Sequence, residues 1–365
     1  MGVGVEEEMA GCSPVAAAGL RDLDFLGALA LLSFLSLSQP LVAASQSIFS
    51  ESDQSQLDLS DPTAVRRAAE QGDPASQTHL GDRYSRGAGV ERDLEEAVRW
   101  YRFAAEQGYA LAQSNLGVMY ANGFGVDRDD AEAIAWYGRA AAQGGARAQY
   151  NLGVMYENGR GVTRDESMAV EWYLRAADNG HAAAQYNLGV MYAAGRGVEP
   201  DGAEATRWYR QAAEQGSVAA QNALGSMFAL GQGVEQDDAE ATRWYRRAAD
   251  EGDADAQYNL GVMYASGRGG QGHDAESIVW LFRLSAEQGH ADAQFVLGMT
   301  YATGQTVPRD DLAAYMWLEL AAAGASASNQ ERYAEARDEV GNAMTADQRA
   351  EAERRAMEFR RSGTP

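Results

Sequence analysis

The tryptophans of this chain recur at a nearly constant interval, and this constrains the fold more than any other feature. Successive tryptophans are 36 residues apart five times and 37 residues apart once. The string AQYNLGVMY occurs three times unchanged, at 148–156, 184–192 and 256–264, always at the same place in the period. A fixed period of roughly 20–50 residues indicates structural units that stack on one another. The string is therefore predicted to be a structural part of the repeated unit and not primarily a chemical site. The tryptophans are Trp100, Trp136, Trp172, Trp208, Trp244, Trp280 and Trp317.

The unit at 145–180 predicts a pair of short antiparallel helices. Its first half places apolar side chains three, four and seven residues apart, which is one stripe of an α-helix. Gly159 follows this stripe and is suited to end the helix with a positive φ. Asp165 precedes the second stripe and can cap a helix by accepting backbone N–H bonds. Gly180 ends the second helix. The first stripe consists of Ala148, Leu152, Met155 and Tyr156, and the second of Ala169, Trp172 and Ala176.

A glycine within each first helix needs a physical reason. Glycine in a helix interior costs about 0.5–1 kcal/mol relative to alanine. Its recurrence, as at Gly153, predicts close approach of a neighbouring backbone or of the tryptophan ring. We expect the tryptophans to anchor the packing between helices.

The full pattern A-x-x-x-L-G-x-M-Y-x-x-G-x-G-V-x-x-D-x-x-x-A-x-x-W-Y-x-x-A-A-x-x-G resembles the Sel-one-like repeat, a close relative of the tetratricopeptide repeat, over roughly 73–324. The resemblance implies an all-α fold. It would be a right-handed α-solenoid of seven 36-residue antiparallel helix pairs, with a concave face built mainly from the first helices. It also implies a non-enzymatic scaffold or adaptor that binds proteins.

Four segments follow from these patterns. Residues 61–324 form the repeat array, and residues 325–365 resemble the closing helices of such arrays. Residues 45–60 are polar and read as a flexible linker. Residues 1–44 contain the apolar run FLGALALLSFLS at 25–36. This run predicts a signal peptide cleaved after Ala44, although the acidic residues before it are unusual for one. An uncleaved membrane anchor is the second reading.

Charge and composition narrow the choice of partner and location. The chain has 53 acidic and 30 basic residues, a net charge of −23, and every basic residue is arginine. Such a surface disfavours nucleic acid and anionic membranes and favours a basic protein or peptide. Arginine without lysine, together with abundant alanine and glycine, is typical of a GC-rich bacterial genome. We therefore expect a monomeric, periplasmic or secreted protein of the bacterial cell envelope, with membrane anchoring as the alternative.

No catalytic, metal-binding or cofactor-binding residue is predicted. The single cysteine, Cys12, allows neither an internal disulfide nor a CxxC metal site. His181 and His290 stand at the start of first helices, His79 is placed on the exposed side of the first unit, and His273 replaces the capping Asp of the sixth. The alternative to a scaffold is a hydrolase or a small-molecule binder, related to the cell wall, built on the same array.

The candidate binding residues are polar and aromatic positions of the first helices. Asparagine offers donors and acceptors for a peptide backbone, and tyrosine offers amphipathic contact area. The other reading is that these side chains only bridge neighbouring units. The predicted partner-binding residues are Asn115, Tyr150, Asn151, Tyr186, Asn187, Tyr258 and Asn259.

The sixth unit departs from the pattern. Its segment WLFRLSAEQG is one residue longer than the equivalent WYRQAAEQG of another unit. An additional residue within a helix rotates the rest or forms a π-bulge, often at a functional site. Harmless drift is the other explanation.

Overall fold

A computed structural model describes residues 62–268, 270 and 274–362 of the 365-residue chain. These residues contain 17 α-helices and no β-strand. They fall into two compact units, residues 62–220 and residues 221–362. The predicted signal peptide or anchor, the linker at 45–60 and His273 lie outside the described residues.

Most of the helices are 13 residues long and form seven pairs after a single leading helix, α1. In pairs one to seven the first helices are α2, α4, α6, α8, α10, α12 and α14, and the second helices are α3, α5, α7, α9, α11, α13 and α15. Two further helices, α16 and α17, follow. The bounds are α1 Pro62–Glu70, α2 Pro74–Arg86, α3 Leu94–Glu106, α4 Ala110–Asn122, α5 Asp130–Ala142, α6 Ala146–Asn158, α7 Glu166–Asp178, α8 Ala182–Ala194, α9 Gly202–Glu214, α10 Val218–Leu230, α11 Asp238–Asp250, α12 Ala254–Ala265, α13 Ala275–Glu287, α14 Ala291–Thr303, α15 Asp311–Gly324, α16 Gln330–Asn342 and α17 Ala346–Ser362.

The helix ends of pair three confirm the predicted caps. Helix α6 ends at Gly159, whose φ of 65° lies in the left-handed region that glycine adopts without strain. Helix α7 begins after Asp165, whose side chain accepts hydrogen bonds from the backbone N–H groups of Ser167 and Met168. These two caps fix the turn and bring the helices back antiparallel.

The glycine inside each first helix lies against a large side chain of the second helix of the same pair, which is an aromatic ring in pairs one to six and a leucine in pair seven. A Cβ added at Gly153 would lie 2.5 Å from Cε1 of Tyr173, closer than any real contact. The ring is that of the tyrosine after the tryptophan, so the expectation of a tryptophan ring was wrong. The equivalent contacts are Gly81–Tyr101, Gly117–Tyr137, Gly189–Tyr209, Gly225–Tyr245, Gly261–Phe282 and Gly298–Leu318.

The tryptophans vary in burial, which only partly agrees with their predicted role. Trp208 is 2% exposed and packs on the cluster that contains Tyr173 and Leu188 of the preceding helices. Trp172 is half-buried, and Trp280 is 57% exposed. The prediction that all seven anchor the packing is therefore wrong for Trp280.

The irregularity of the sixth pair lies before its second helix. Helix α13 has the usual 13 residues, and its N-cap is Asp274, whose side chain accepts from the N–H of Ser277. Seven residues after this cap stands Leu281, as Trp208 stands seven residues after Asp201. The additional residue thus falls in the α12–α13 connection. The expectation that it rotates the rest of the helix or forms a π-bulge was wrong, and the capping residue is Asp274 and not the predicted His273.

Buried glutamines of the first helices join neighbouring helices of the array, which the sequence analysis missed. Gln149 donates from Nε2 to the carbonyl oxygen of Ala141 at the end of α5, at 3.2 Å. Its Oε1 accepts from Nδ2 of Asn179, the residue that ends α7, at 3.0 Å. One side chain therefore satisfies groups at the ends of two second helices. The same donation is made by Gln77, Gln113, Gln185, Gln257 and Gln294 to Ala69, Ala105, Ala177, Ala249 and Ala286.

The last two helices pack on the final pair. Phe359 of α17 meets Trp317 edge to face, with 5.3 Å between ring centroids. Tyr333 of α16 is fully buried and stacks on Phe295 of α14 at 4.2 Å. These contacts cover apolar surface that a further pair would otherwise cover.

Candidate functional site

The predicted binding residues occupy two adjacent positions of the first helices, called here the first-helix face. Tyr150 and Asn151 of α6 are the reference positions, and both are half-buried. The predicted residues are neither fully exposed nor uniformly buried. The contacts of each side chain therefore show whether it bridges neighbouring pairs or is free to contact a partner.

Asn115 connects three successive helix pairs. Its Nδ2 donates to Oδ1 of Asp82 at 3.3 Å, and its Oδ1 accepts from Arg147 at 3.1 Å. Asp82 also accepts from the hydroxyl of Tyr101 at 2.6 Å. With donor and acceptor both engaged and the side chain 8% exposed, Asn115 has a bridging role.

Tyr150 and Asn187 are also engaged between pairs. The ring of Tyr150 stacks on His181, with 4.6 Å between centroids and 20° between planes. The side chain of Asn187 lies within hydrogen-bonding reach of the hydroxyls of Tyr150 and Tyr173. Burial raises the pKa of Tyr150, so its hydroxyl stays protonated and able to donate. Tyr186 packs on Tyr209 at 5.8 Å.

The equivalent residues of α12 repeat this arrangement with one difference. Tyr258 is 4% exposed and stacks on His290 at 4.5 Å. Val296 stands where Asn187 stands beside Tyr150, and the hydroxyl of Tyr258 has no hydrogen-bond partner among the described residues. Asn259 donates to Asn222 at 3.1 Å.

Asn151 differs from the other asparagines of the face. Its side chain is half-buried and makes no hydrogen bond with any residue in the described part of the chain. An amide in this state offers two donors and an acceptor. Bridging therefore accounts for Asn115, Asn187 and Asn259 but not for Asn151.

The first helices carry little of the chain's charge. Their carboxylates are Asp82, Glu157, Asp255 and Asp292, and their arginines are Arg83, Arg86 and Arg147. The second helices of the seven pairs contain 17 acidic residues and 10 arginines, a larger acidic excess than that of the first helices. The predicted acidic surface is thus concentrated away from the first-helix face.

Titratable groups within the described ranges do not assemble into a metal site of three or more His, Cys, Asp or Glu side chains. A depression of about 510 Å³ near α15 contains Asp310 and Asp311. Asp310 caps α15, and Asp311 pairs with Arg309 at 2.8 Å, so both carboxylates have structural partners. Among the helices that the structure describes, none has the length and apolar content of a membrane span.

Comparison with protein families identifies the repeat. The Sel1 repeat model matches seven consecutive segments, 74–109, 110–145, 146–181, 182–217, 218–253, 254–290 and 291–326. The chain belongs to the Sel1 repeat family. Each Sel1 repeat is one of the helix pairs, and the longer sixth match places the additional residue in pair six. Sel1 repeat proteins generally act as protein-interaction scaffolds.

Solved structures of other Sel1 repeat proteins resemble the chain. A Sel1 repeat protein from Oxalobacter formigenes is 33% identical, with a TM-score of 0.60, over 67% of this chain and 96% of that chain. A protective antigen of uropathogenic Escherichia coli, c5321, is 27% identical, with a TM-score of 0.47, over 96% of this chain and 92% of that chain. No protein of curated function matches the chain.

Two histidines have structural roles within the Sel1 repeats. His181 and His290 are N-caps whose Nδ1 atoms accept from the N–H groups of Ala184 and Ala293. His79 is half-buried, so its predicted placement on an exposed side was wrong. Burial, with a smaller contribution from nearby Arg147, lowers the pKa of His181 to about 4.

This shift predicts a pH-dependent stability. The unfolded chain takes up a proton at His181 near pH 6.5, whereas the folded chain resists protonation until the pH approaches 4. The contribution of neutral His181 is therefore complete above pH 6.5 and is lost as the pH falls toward 4. His181→Ser, which copies Ser217 of the next repeat, removes this dependence. Urea unfolding should be measured for both proteins at pH 7 and pH 4. Between these two pH values the free energy of unfolding should fall by roughly 2–3 kcal/mol more in the wild type than in His181→Ser. Equal losses would contradict it.

Proposed function

We propose that this Sel1 repeat protein is a non-catalytic scaffold that binds an extended segment of a partner protein along the first-helix face. The observation that carries the proposal is the unengaged amide of Asn151 on a face whose other predicted asparagines are hydrogen-bonded. Membership in a family of interaction scaffolds supports the general class.

Asn151 is suited to a main-chain ligand. A peptide amide group presents one donor and one acceptor, and an asparagine side chain can satisfy both. Its neighbours Arg147 and Asn115 are joined by a hydrogen bond, which holds the surroundings of Asn151 in place before a ligand arrives. A site that is already ordered loses less conformational entropy on binding.

The distribution of charge suggests that the first helices would contact the partner and the second helices would attract it over longer distances. Because the first helices are nearly neutral, the bound segment would be contacted mainly through its backbone and uncharged side chains. The acidic second helices would instead accelerate the approach of a partner with basic flanks, since long-range attraction raises association rates. Added salt should therefore slow association more than it speeds dissociation.

We further propose that the scaffold works in the bacterial cell envelope. The support is the apolar run at 25–36, followed by small residues up to Ala44. A cleaved signal peptide would release the repeats into the periplasm or beyond, and an uncleaved segment would hold them at the membrane.

Mutation of the face tests the binding proposal. A photoreactive residue at position 151, introduced in cells, should crosslink to a partner, whereas the same residue at exposed Glu171 of the second helix α7 should not. For the captured partner, Asn151→Ala should lower affinity about 2- to 13-fold, because one net hydrogen bond is worth about 0.5–1.5 kcal/mol. The free energy of unfolding of Asn151→Ala should equal that of the wild type.

The matched control is Asn115→Ala. Because this amide bridges Asp82 and Arg147, its loss should lower the free energy of unfolding by about 1–3 kcal/mol. Crosslinking only from position 171, or unchanged affinity of Asn151→Ala, would reject the first-helix face as the binding surface.

A reporter fusion tests the location. Residues 1–50, joined to a phosphatase that is active only outside the cytoplasm, should give activity in a bacterial host, and the mature protein should begin near Ser45. An inactive fusion would argue against the envelope. An uncut product in the membrane fraction would favour the anchor.

A further inference from the structure

The sixth repeat exposes a tryptophan that its neighbours keep inside. Counting from the capping aspartates, Leu281 occupies the place of Trp208 and Trp244, and it is 5% exposed. Trp280 therefore occupies the outward position that Arg207 and Arg243 hold, and it is 57% exposed. Because Leu281 and Phe282 fill the core, the fold does not require an aromatic residue at 280.

Other tryptophans of the array show what such a ring accepts. The guanidinium carbon of Arg139 lies 4.3 Å from the ring centroid of Trp136, and that of Arg175 lies 4.4 Å from Trp172. Arg207 covers Trp208 at 4.1 Å in the same way. Within the described residues, Trp280 has neither a cation over its ring nor a neighbouring ring. The ring of Trp280 is therefore uncovered, whereas the rings of Trp136, Trp172 and Trp208 are each covered by an arginine.

An unpaired carboxylate lies beside the ring. Glu276 is one helical turn before Trp280, is exposed, and forms no ion pair or hydrogen bond within the described part of the chain. Arg283, one turn after it, donates to the hydroxyl of Tyr301 at 2.6 Å. In repeat five, by contrast, Glu240 is paired with Arg243 at 2.9 Å. The ring and carboxylate together match a cation and disfavour an anionic membrane.

We propose that Trp280 and Glu276 form a second interaction surface, on the second helix of repeat six, that binds an arginine of a basic segment in a partner protein. The guanidinium would lie over the indole and donate to the carboxylate. This surface belongs to a second helix and does not depend on the first-helix face, so the two proposals can fail separately.

An arginine-rich peptide, with glycine and serine between the arginines and a fluorescent label, is the probe. Fluorescence anisotropy at moderate salt should show binding to the full chain, and a glutamate peptide of the same spacing should not bind. Trp280→Arg copies the residue of repeats four and five, so it should fold normally while repelling the probe. Affinity should fall about 5- to 30-fold for Trp280→Arg and about 2- to 5-fold for Glu276→Gln, as expected for losing a partly desolvated cation–π contact or one ionic hydrogen bond.

The controls separate this site from general attraction to an acidic protein. Phe124→Ala removes another exposed aromatic ring, 46% exposed, and Glu171→Gln removes another exposed carboxylate. Both variants should bind the probe as the wild type does. Equal affinity of wild type and Trp280→Arg would overturn the proposal, as would Trp280-dependent dimerisation or Trp280-dependent binding to anionic vesicles without peptide binding.

Discussion

Contact between a helical glycine and a large side chain of the partner helix, an aromatic ring in six of the seven repeats, is the constraint on which each repeat depends. At Gly153 there is no room for a methyl group, because the ring of Tyr173 fills the place where a Cβ would lie. The glycine weakens its own helix, and the close approach it permits offsets that cost by burying Tyr173 completely. The fully buried alanines of the same pair, such as Ala169 and Ala176, belong to the same close packing. The string AQYNLGVMY is conserved within the chain because it forms this packing surface.

Polar contacts connect one repeat to the next where apolar packing alone leaves helix ends unsatisfied. The buried glutamine, as at Gln149, joins the carbonyl at the end of one second helix to the cap of another. At the opposite end of the repeat, Arg160 pairs with Asp130 at 2.7 Å and also donates to the carbonyl oxygen of Ala121. Removing one partner of such a buried group costs more than the net worth of the bond, because the other partner is left without hydrogen bonds. Repeat three is thus fixed to repeat two at both ends.

The sequence predicted the helices, their caps and the repeat boundaries because these depend on local spacing. Periodicity located the apolar stripe of Leu152 and Met155, and Asp165 was recognisable as a cap from its place before the next stripe. Periodicity alone could not decide between Trp172 and Tyr173 as the ring against the glycine, since adjacent helix positions differ by about 100° in direction. The constant spacing of the tryptophans also led to the wrong position for the additional residue of repeat six. Trp280 keeps the 36-residue interval but is exposed, and Leu281 takes its place in the core.

The candidate site was predictable in position but not in the state of each side chain. The spacing placed Asn115 and Asn151 on one face, yet their different engagement depends on neighbours 32 or 33 residues away, Arg147 and Asp82. The glutamine escaped notice because a polar residue in an amphipathic pattern is ordinarily read as exposed. Both cases depend on contacts between repeats. Different positions of the repeat therefore have different roles. The glycine, the ring and the glutamine hold the array together, while neighbouring positions can differ between repeats and contact a partner.

The most direct measurement of this account compares two glycine-to-alanine substitutions in adjacent repeats by urea unfolding. Gly153→Ala places a methyl group into the Tyr173 ring and should lower the free energy of unfolding by about 1–3 kcal/mol, as overpacking does. Gly138→Ala, in helix α5, meets no atom within 4 Å and should stabilise by about 0.5–1 kcal/mol through helix propensity alone. Replacing Tyr173 by alanine should remove the penalty at Gly153. Equal effects of the two substitutions, or a penalty at Gly153 that persists without the ring, would contradict the account.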